Sequence, residues 1–143
     1  MKGRKSMSSN IKIKDILYKN ILILILFGIF YAFIEAHIPF WIYIAPPLYR
    51  IIYFMLFALI SIAPILYHFN VFIFFGNLLL STAVEDYSYW LIINKVPYTW
   101  SPFYITYNNY AVIDFIQLAV VFVLYYIVYY REKNEYEKYE KRG

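Results

Sequence analysis

The chain has 143 residues, of which 63% are hydrophobic and 15% charged, and it carries a net charge of +4. An ordinary soluble domain is about half apolar, so this composition excludes one and points to a polytopic membrane protein, with room for about four spans of roughly 20 residues each. Cysteine is absent, which removes disulfides, thiolate zinc sites and cysteine nucleophiles from consideration.

Residues 1–10, MKGRKSMSSN, are basic and rich in Ser and are expected to form a mobile tail. A single transmembrane domain is expected over 11–130, entered through an interfacial lead-in that carries Lys12, Lys14 and Lys19. The first span is placed at 16–37. Between Phe33 and His37 it lacks the small-x-small site at which a signal peptide would be cut, so it is read as retained. Within it Gly28, Ala32 and Ala36 form a small-xxx-small ridge that allows close approach of another helix, in the same bundle or in a second copy.

Ile38 to Tyr49 is aromatic but holds Pro39, Pro46 and Pro47, which suits an interfacial connection better than a helix. The second span is placed at 48–67, with Pro64 near its end, and a tight turn through His68 leads to the third at 71–93. The segment VPYTWSPFYITYNNY, 96–110, reads as a second aromatic connection in the interface. A fourth span at 111–130 leads into a charged tail, 131–143, expected as a solvated helix supported by pairs such as Glu137 and Lys141.

The fold class expected is therefore all-α, a four-helix transmembrane bundle with aromatic outer connections. Of the 13 basic residues, all but Arg50 and Lys95 lie in the two terminal regions. The positive-inside rule then puts both termini in the cytoplasm and the chain in the cell membrane, with Trp41, Trp90 and Trp100 at the outer interface.

The third span carries the features that ask for a functional explanation. Asn77, Ser81 and Glu85 recur every fourth residue, which lines them up on one helical face leading to the adjacent carboxylates Glu85 and Asp86. An ionised side chain costs about 3 kcal/mol in the middle of a bilayer unless it is partnered, so this stripe must face protein. Counting 1.5 Å of rise per residue from the cytoplasmic boundary puts Glu35 and Glu85 roughly 21 Å up, Asp114 about 24 Å and Arg50 about 26 Å. Ionisable residues of all four spans thus share a layer in the outer third, with His37 just above it and Gln117 one turn from Asp114.

Four carboxylates, Glu35, Glu85, Asp86 and Asp114, face one certain cation, Arg50. They cannot all remain ionised in a low-dielectric site, so some hold protons or share a bound cation. Glu35, Glu85, Asp86 and Asp114 are the candidate metal ligands, with Asn77, Ser81 and Gln117 as neutral oxygen donors or relays. Such an oxygen-rich set admits a hard cation as cofactor rather than a transition metal, which would call for more histidine. No Walker loop, dinucleotide fingerprint, HExxH or GxSxG occurs.

The run Glu85-Asp86-Tyr87-Ser88-Tyr89 resembles a Glu-Asp-x-x-aromatic pattern of small, uncharacterised multi-span membrane proteins of archaea and bacteria. That resemblance implies a membrane protein and no activity.

The excess of carboxylates favours binding or transport of a cation or protons at the outer layer, by the protein alone or as a subunit of a larger complex. Two other classes compete. One is a membrane-embedded enzyme in which Glu85 or Asp86 acts as acid and base beside His37 on a lipid or lipid-linked substrate. The other is a structural accessory subunit whose core is held by Arg50 and its carboxylates. The partners expected are the lipid bilayer and either further copies of the chain or a membrane complex. Glutamates interleaved with the basic residues of the C-terminal tail argue against nucleic acid.

Overall fold

The structure is a computed structural model that describes residues 3–38, 45–65, 70–94, 106–107 and 110–142. Among these, four long helices follow one another: α1, Gly3–His37; α2, Pro46–Ile62, continued by a 3-10 turn at Ala63–Ile65; α3, Val71–Ile93; and α4, Val112–Arg142. A short antiparallel hairpin precedes α4, its strands β1, Thr106–Tyr107, and β2, Tyr110–Ala111, pairing Thr106 with Ala111 and Tyr107 with Tyr110. The chain is the all-α bundle that its apolar segments predict.

Local chemistry sets the helix ends. Pro46 and Pro47 open α2, where a missing N–H costs nothing and a fixed φ suits the first turn. Pro64 breaks the α-helical ladder at the other end, and the chain tightens into the 3-10 turn. Asn70 caps α3 by accepting hydrogen bonds from the backbone N–H groups of Phe72 and Ile73 at 2.9 and 3.3 Å. At its far end Asn94 adopts a left-handed conformation with φ 53°, the usual way of turning a chain out of a helix.

Some boundaries differ from the sequence reading. The first helix starts at Gly3, so the segment expected as a mobile tail is helical from that residue on, and α4 runs unbroken into the charged C-terminal segment as expected. The hairpin lies within the segment read as an irregular connection. Half of the first aromatic connection and most of the second, with Trp41 and Trp100, and the turn at His68 lie outside the described residues. Trp90, near the end of α3, is buried against Tyr87 and Ile113.

Among the described residues, three segments are long and apolar enough to cross a membrane: Leu17–His37, Pro47–Ile65 and Val112–Asn134. Helix α3 is not among them, because Asn77, Ser81, Glu85 and Asp86 dilute its apolar character. Packing accounts for the exception. Helix α3 is the hub of the bundle, in contact with α1, α2 and α4, whereas α1 and α4 barely touch each other. Its polar side chains therefore meet protein on every side while the three outer helices face outward with Phe30, Phe33, Phe54, Met55, Leu59, Phe122 and Val123 exposed. An apolar exterior around a polar interior makes this chain an integral membrane protein.

Lipid offers helices little hydrophobic drive to associate, so close packing and hydrogen bonds must hold them together. Both are present. A Cβ on Gly28 would sit 2.9 Å from the Ser81 carbonyl oxygen and 3.1 Å from the Glu85 amide nitrogen, which places α1 directly against the backbone of α3. The small-residue ridge of α1 is thus a contact within the bundle, and Ala32 is fully buried in it. Phe27 and Tyr31 of α1 interlock with Tyr53 and Phe57 of α2 through ring pairs with centroids 5.2 to 5.7 Å apart.

One hydrogen-bond cluster ties all four helices together at the end of the bundle nearer the termini. Asn20 of α1 donates to Asn77 Oδ1 at 2.6 Å and accepts from its Nδ2 at 3.3 Å. Asn77 also donates to the Ser61 carbonyl oxygen of α2 at 2.8 Å, and the Tyr125 hydroxyl of α4 donates to Asn77 Oδ1 at 2.7 Å. Gly76 leaves the room that the Tyr125 ring needs, since a Cβ there would lie 2.7 Å from Tyr125 Cε1.

Candidate functional site

The contact at Gly28 determines what happens two turns further along α1. With the helix axes held close there, Glu35, seven residues on, meets Glu85 across the interface, and both are almost completely buried, with exposures of 4% and 3%. Their carboxyl groups lie within hydrogen-bonding reach of each other. Two carboxyl oxygens attract only through a proton or a cation between them, which makes this contact the candidate site.

Helix α2 supplies the donors. Tyr49 and Tyr53, four residues apart and therefore on one face, direct their hydroxyls at the pair. The Tyr49 hydroxyl donates to Glu35 Oε1, and that of Tyr53 donates to Glu85 Oε2 at 2.7 Å. Tyr31 of α1 joins this chain through a side-chain hydrogen bond with Tyr49. Phenol donors stabilise a carboxylate without adding a formal charge. The arrangement is therefore a continuous polar path, Tyr31, Tyr49, Glu35, Glu85 and Tyr53, set in otherwise apolar walls.

The pair opens onto a cavity of about 370 Å³. Arg50, in the first turn of α2, and Asp86, beside Glu85, line it together with Thr82, Tyr89 and Gln117 of α4. Five of the residues singled out in the sequence, Glu35, Arg50, Glu85, Asp86 and Gln117, thus surround one space. They come from all four helices.

The remaining candidates lie elsewhere. Asn77 spends its two donors and two acceptors on the four-helix cluster and has none left for a ligand. Ser81 is fully buried and turns back to donate to the Leu78 carbonyl oxygen at 3.1 Å. His37 is exposed, with its ring against Phe33 and Nδ1 2.8 Å from the Phe33 carbonyl oxygen. Asp114 is buried to 1% exposure in the first turn of α4 but is not part of the cavity wall. The four carboxylates therefore do not converge, and among the described residues no group of three or more His, Cys, Asp or Glu side chains is arranged to hold a metal ion. Depth counting grouped all four, whereas Glu35, Glu85 and Asp86 line the cavity and Asp114 does not, because rise along a helix says nothing about which way a side chain faces.

Sequence reasoning missed the tyrosines. Tyr31, Tyr49, Tyr53 and Tyr125 are not among the candidates read from the sequence, yet they turn their hydroxyls inward. The i, i+4 spacing of Tyr49 and Tyr53 was the available signal. Asn20 was likewise not singled out, although its position two turns before Gly28 puts it on the same buried face of α1.

Comparison with known proteins adds one similarity. No family model and no solved structure matches the chain. It is similar to a protein of Acidianus filamentous virus 2 (isolate Italy/Pozzuoli) provisionally named transmembrane protein ORF202, with 31% identity over 101 residues. That alignment covers 71% of this chain and 48% of the viral protein. The chain thus spans about half the length of the relative it matches, whose name specifies a membrane location and no activity.

Proposed function

We propose that the protein binds protons at the Glu35–Glu85 pair and exchanges them with the adjoining cavity, as a small proton transporter or as the proton-handling subunit of a larger membrane complex. The observation that carries this reading is the hydrogen-bonding contact between two carboxyl groups from different helices, each anchored by a phenol donor. A pair of this kind can hold two protons, one or none, and in the singly protonated state the shared hydrogen bond is charge-assisted and strong. Tyr49 and Tyr53 stay as donors throughout, so the pair can change its charge without losing its position. Asp86 and Arg50 give the cavity a charged lining through which a proton can reach or leave it.

Protons suit the site better than a metal ion because three ligating carboxylates do not meet among the described residues. The enzyme reading required His37 beside Glu85 or Asp86, and His37 is occupied at its own helix end. The similarity to a viral protein with a transmembrane name agrees with a membrane setting. In this reading the termini are cytoplasmic and the cavity lies in the outer third of the cell membrane.

The test uses purified protein in liposomes loaded with a pH-sensitive dye, with an imposed potassium diffusion potential as the driving force. Wild type should acidify or alkalinise the lumen according to the sign of the potential, and Glu85→Gln should reduce that rate at least tenfold. Glutamine can still accept from Tyr53 and donate to Glu35, so the variant should keep its melting temperature. Equal proton flux in both proteins, or no flux in wild type above empty liposomes, would exclude the reading.

A further inference from the structure

Asp114 is the one buried carboxylate that the proton-binding pair leaves unexplained. Its exposure is 1%, and neither of its carboxylate oxygens has a hydrogen-bond partner among the described residues. Two other polar atoms nearby share that condition: the Tyr87 hydroxyl of α3 and Oε1 of Gln117 are both buried and unpartnered. Asp114 and Gln117 are three residues apart, so they lie on one face of α4. Tyr87 faces the same turns from α3, with its ring packed edge-on against Phe115 at 5.5 Å and beside Trp90, itself in contact with Ile113.

We infer that Tyr87, Asp114 and Gln117 form a binding site for a monovalent cation of sodium size, separate from the Glu35–Glu85 pair. The donor inventory selects that ligand. Two carboxylate oxygens, an amide oxygen and a phenol oxygen make four hard oxygen donors, the kind that bind alkali and alkaline-earth cations rather than soft metals. Their formal charge is that of a single carboxylate, which one positive charge neutralises. A divalent ion would leave an excess charge buried in the bundle. An anion is ruled out by the carboxylate.

Gln117 also lines the cavity beside the Glu35–Glu85 pair, but Asp114, the charged member of this site, does not, so the two readings can fail separately. The experiment follows the melting temperature of the full chain in detergent at pH 8 while sodium chloride replaces choline chloride at constant ionic strength. A ligand that binds only the folded state stabilises it by mass action, and wild type should gain roughly 5 °C for each tenfold step in sodium above the dissociation constant. Asp114→Asn, which removes the charge and keeps the shape, should melt at or above the sodium-free wild-type temperature and show no sodium response. Glu85→Gln should retain the full response, since it alters only the other site. A wild-type melting temperature that does not change between choline and sodium overturns the inference. So does a sodium response that survives Asp114→Asn, or one abolished by Glu85→Gln.

Discussion

Asn77 offers two hydrogen-bond donors and two acceptors, and the bundle uses all four, with Asn20, Ser61 and Tyr125 as partners from three other helices. A polar residue in this position fixes which helices are neighbours and at what height, because any shift in register strands buried amide groups in an apolar medium. Leucine at position 77 would fill the space but leave the Asn20 amide and the Tyr125 hydroxyl unpaired. Each stranded group costs on the order of 1 kcal/mol or more, and membrane hydrogen bonds average about 0.6 kcal/mol apiece, so Asn77→Leu should destabilise the protein by about 2 kcal/mol. Thermal unfolding in detergent would measure this, with Tyr125→Phe as the second arm of a double-mutant cycle. Effects that simply add in the double variant would mean that the two residues are not coupled. The same accounting separates the roles of Asn77 and Glu85, which share one helical face. The lower residue is saturated by protein, while the upper one meets a second carboxyl group, the contact on which the proposed proton binding rests. Spacing alone placed both on the stripe, and only the partners distinguish structure from site.

At the scale of helices, two glycines control the distance between elements and differ in what opposes them. At Gly28 an added Cβ meets the Ser81 carbonyl oxygen at 2.9 Å and the Glu85 amide nitrogen at 3.1 Å, both backbone atoms that cannot move without shifting α3. At Gly76 the obstacle is the ring of Tyr125, with Cε1 at 2.7 Å, and a side chain can rotate away at the expense of its bond to Asn77. Gly28→Ala should therefore cost about 1–3 kcal/mol by overpacking, and Gly76→Ala less. It should also impair proton transfer, because separating α1 from α3 draws Glu35 away from Glu85. Melting temperatures in that order, with proton flux lost in Gly28→Ala alone, would support the geometry, and the reverse order would contradict it. The ridge of Gly28, Ala32 and Ala36 announced a close contact but left its partner open, since one sequence cannot tell an internal neighbour from a second copy. Helix α3 was legible for a different reason. Its polar stripe required a protein environment, and the hub position in the bundle supplies it.

For the molecule as a whole, the fold class was readable because length and apolar runs follow directly from the chain. Which residues would touch was not readable, since the angle of each helix about its own axis decides that. Depth counting accordingly grouped Asp114 with Glu35, Glu85 and Asp86, while the actual packing brings Gln117 to the cavity and leaves Asp114, on the same stretch of α4, outside its wall. The rotational setting also sent the tyrosines of α2 inward, which an alternation of aromatic and aliphatic residues does not reveal. Orientation across the membrane depends on neither packing nor rotation but on charge. Eleven of the 13 basic residues flank the termini, leaving Arg50 and Lys95 for the other face, and such a bias sets topology because cationic loops resist translocation. We predict cytoplasmic termini, tested by labelling Ser6→Cys and Ser101→Cys variants in intact cells with a membrane-impermeant maleimide. The chain has no native cysteine to interfere. Labelling of position 101 alone is the expected result. Labelling of position 6 alone would invert the topology and put the acidic cavity near the cytoplasm, and labelling of both would break the even number of crossings on which the shared layer rests.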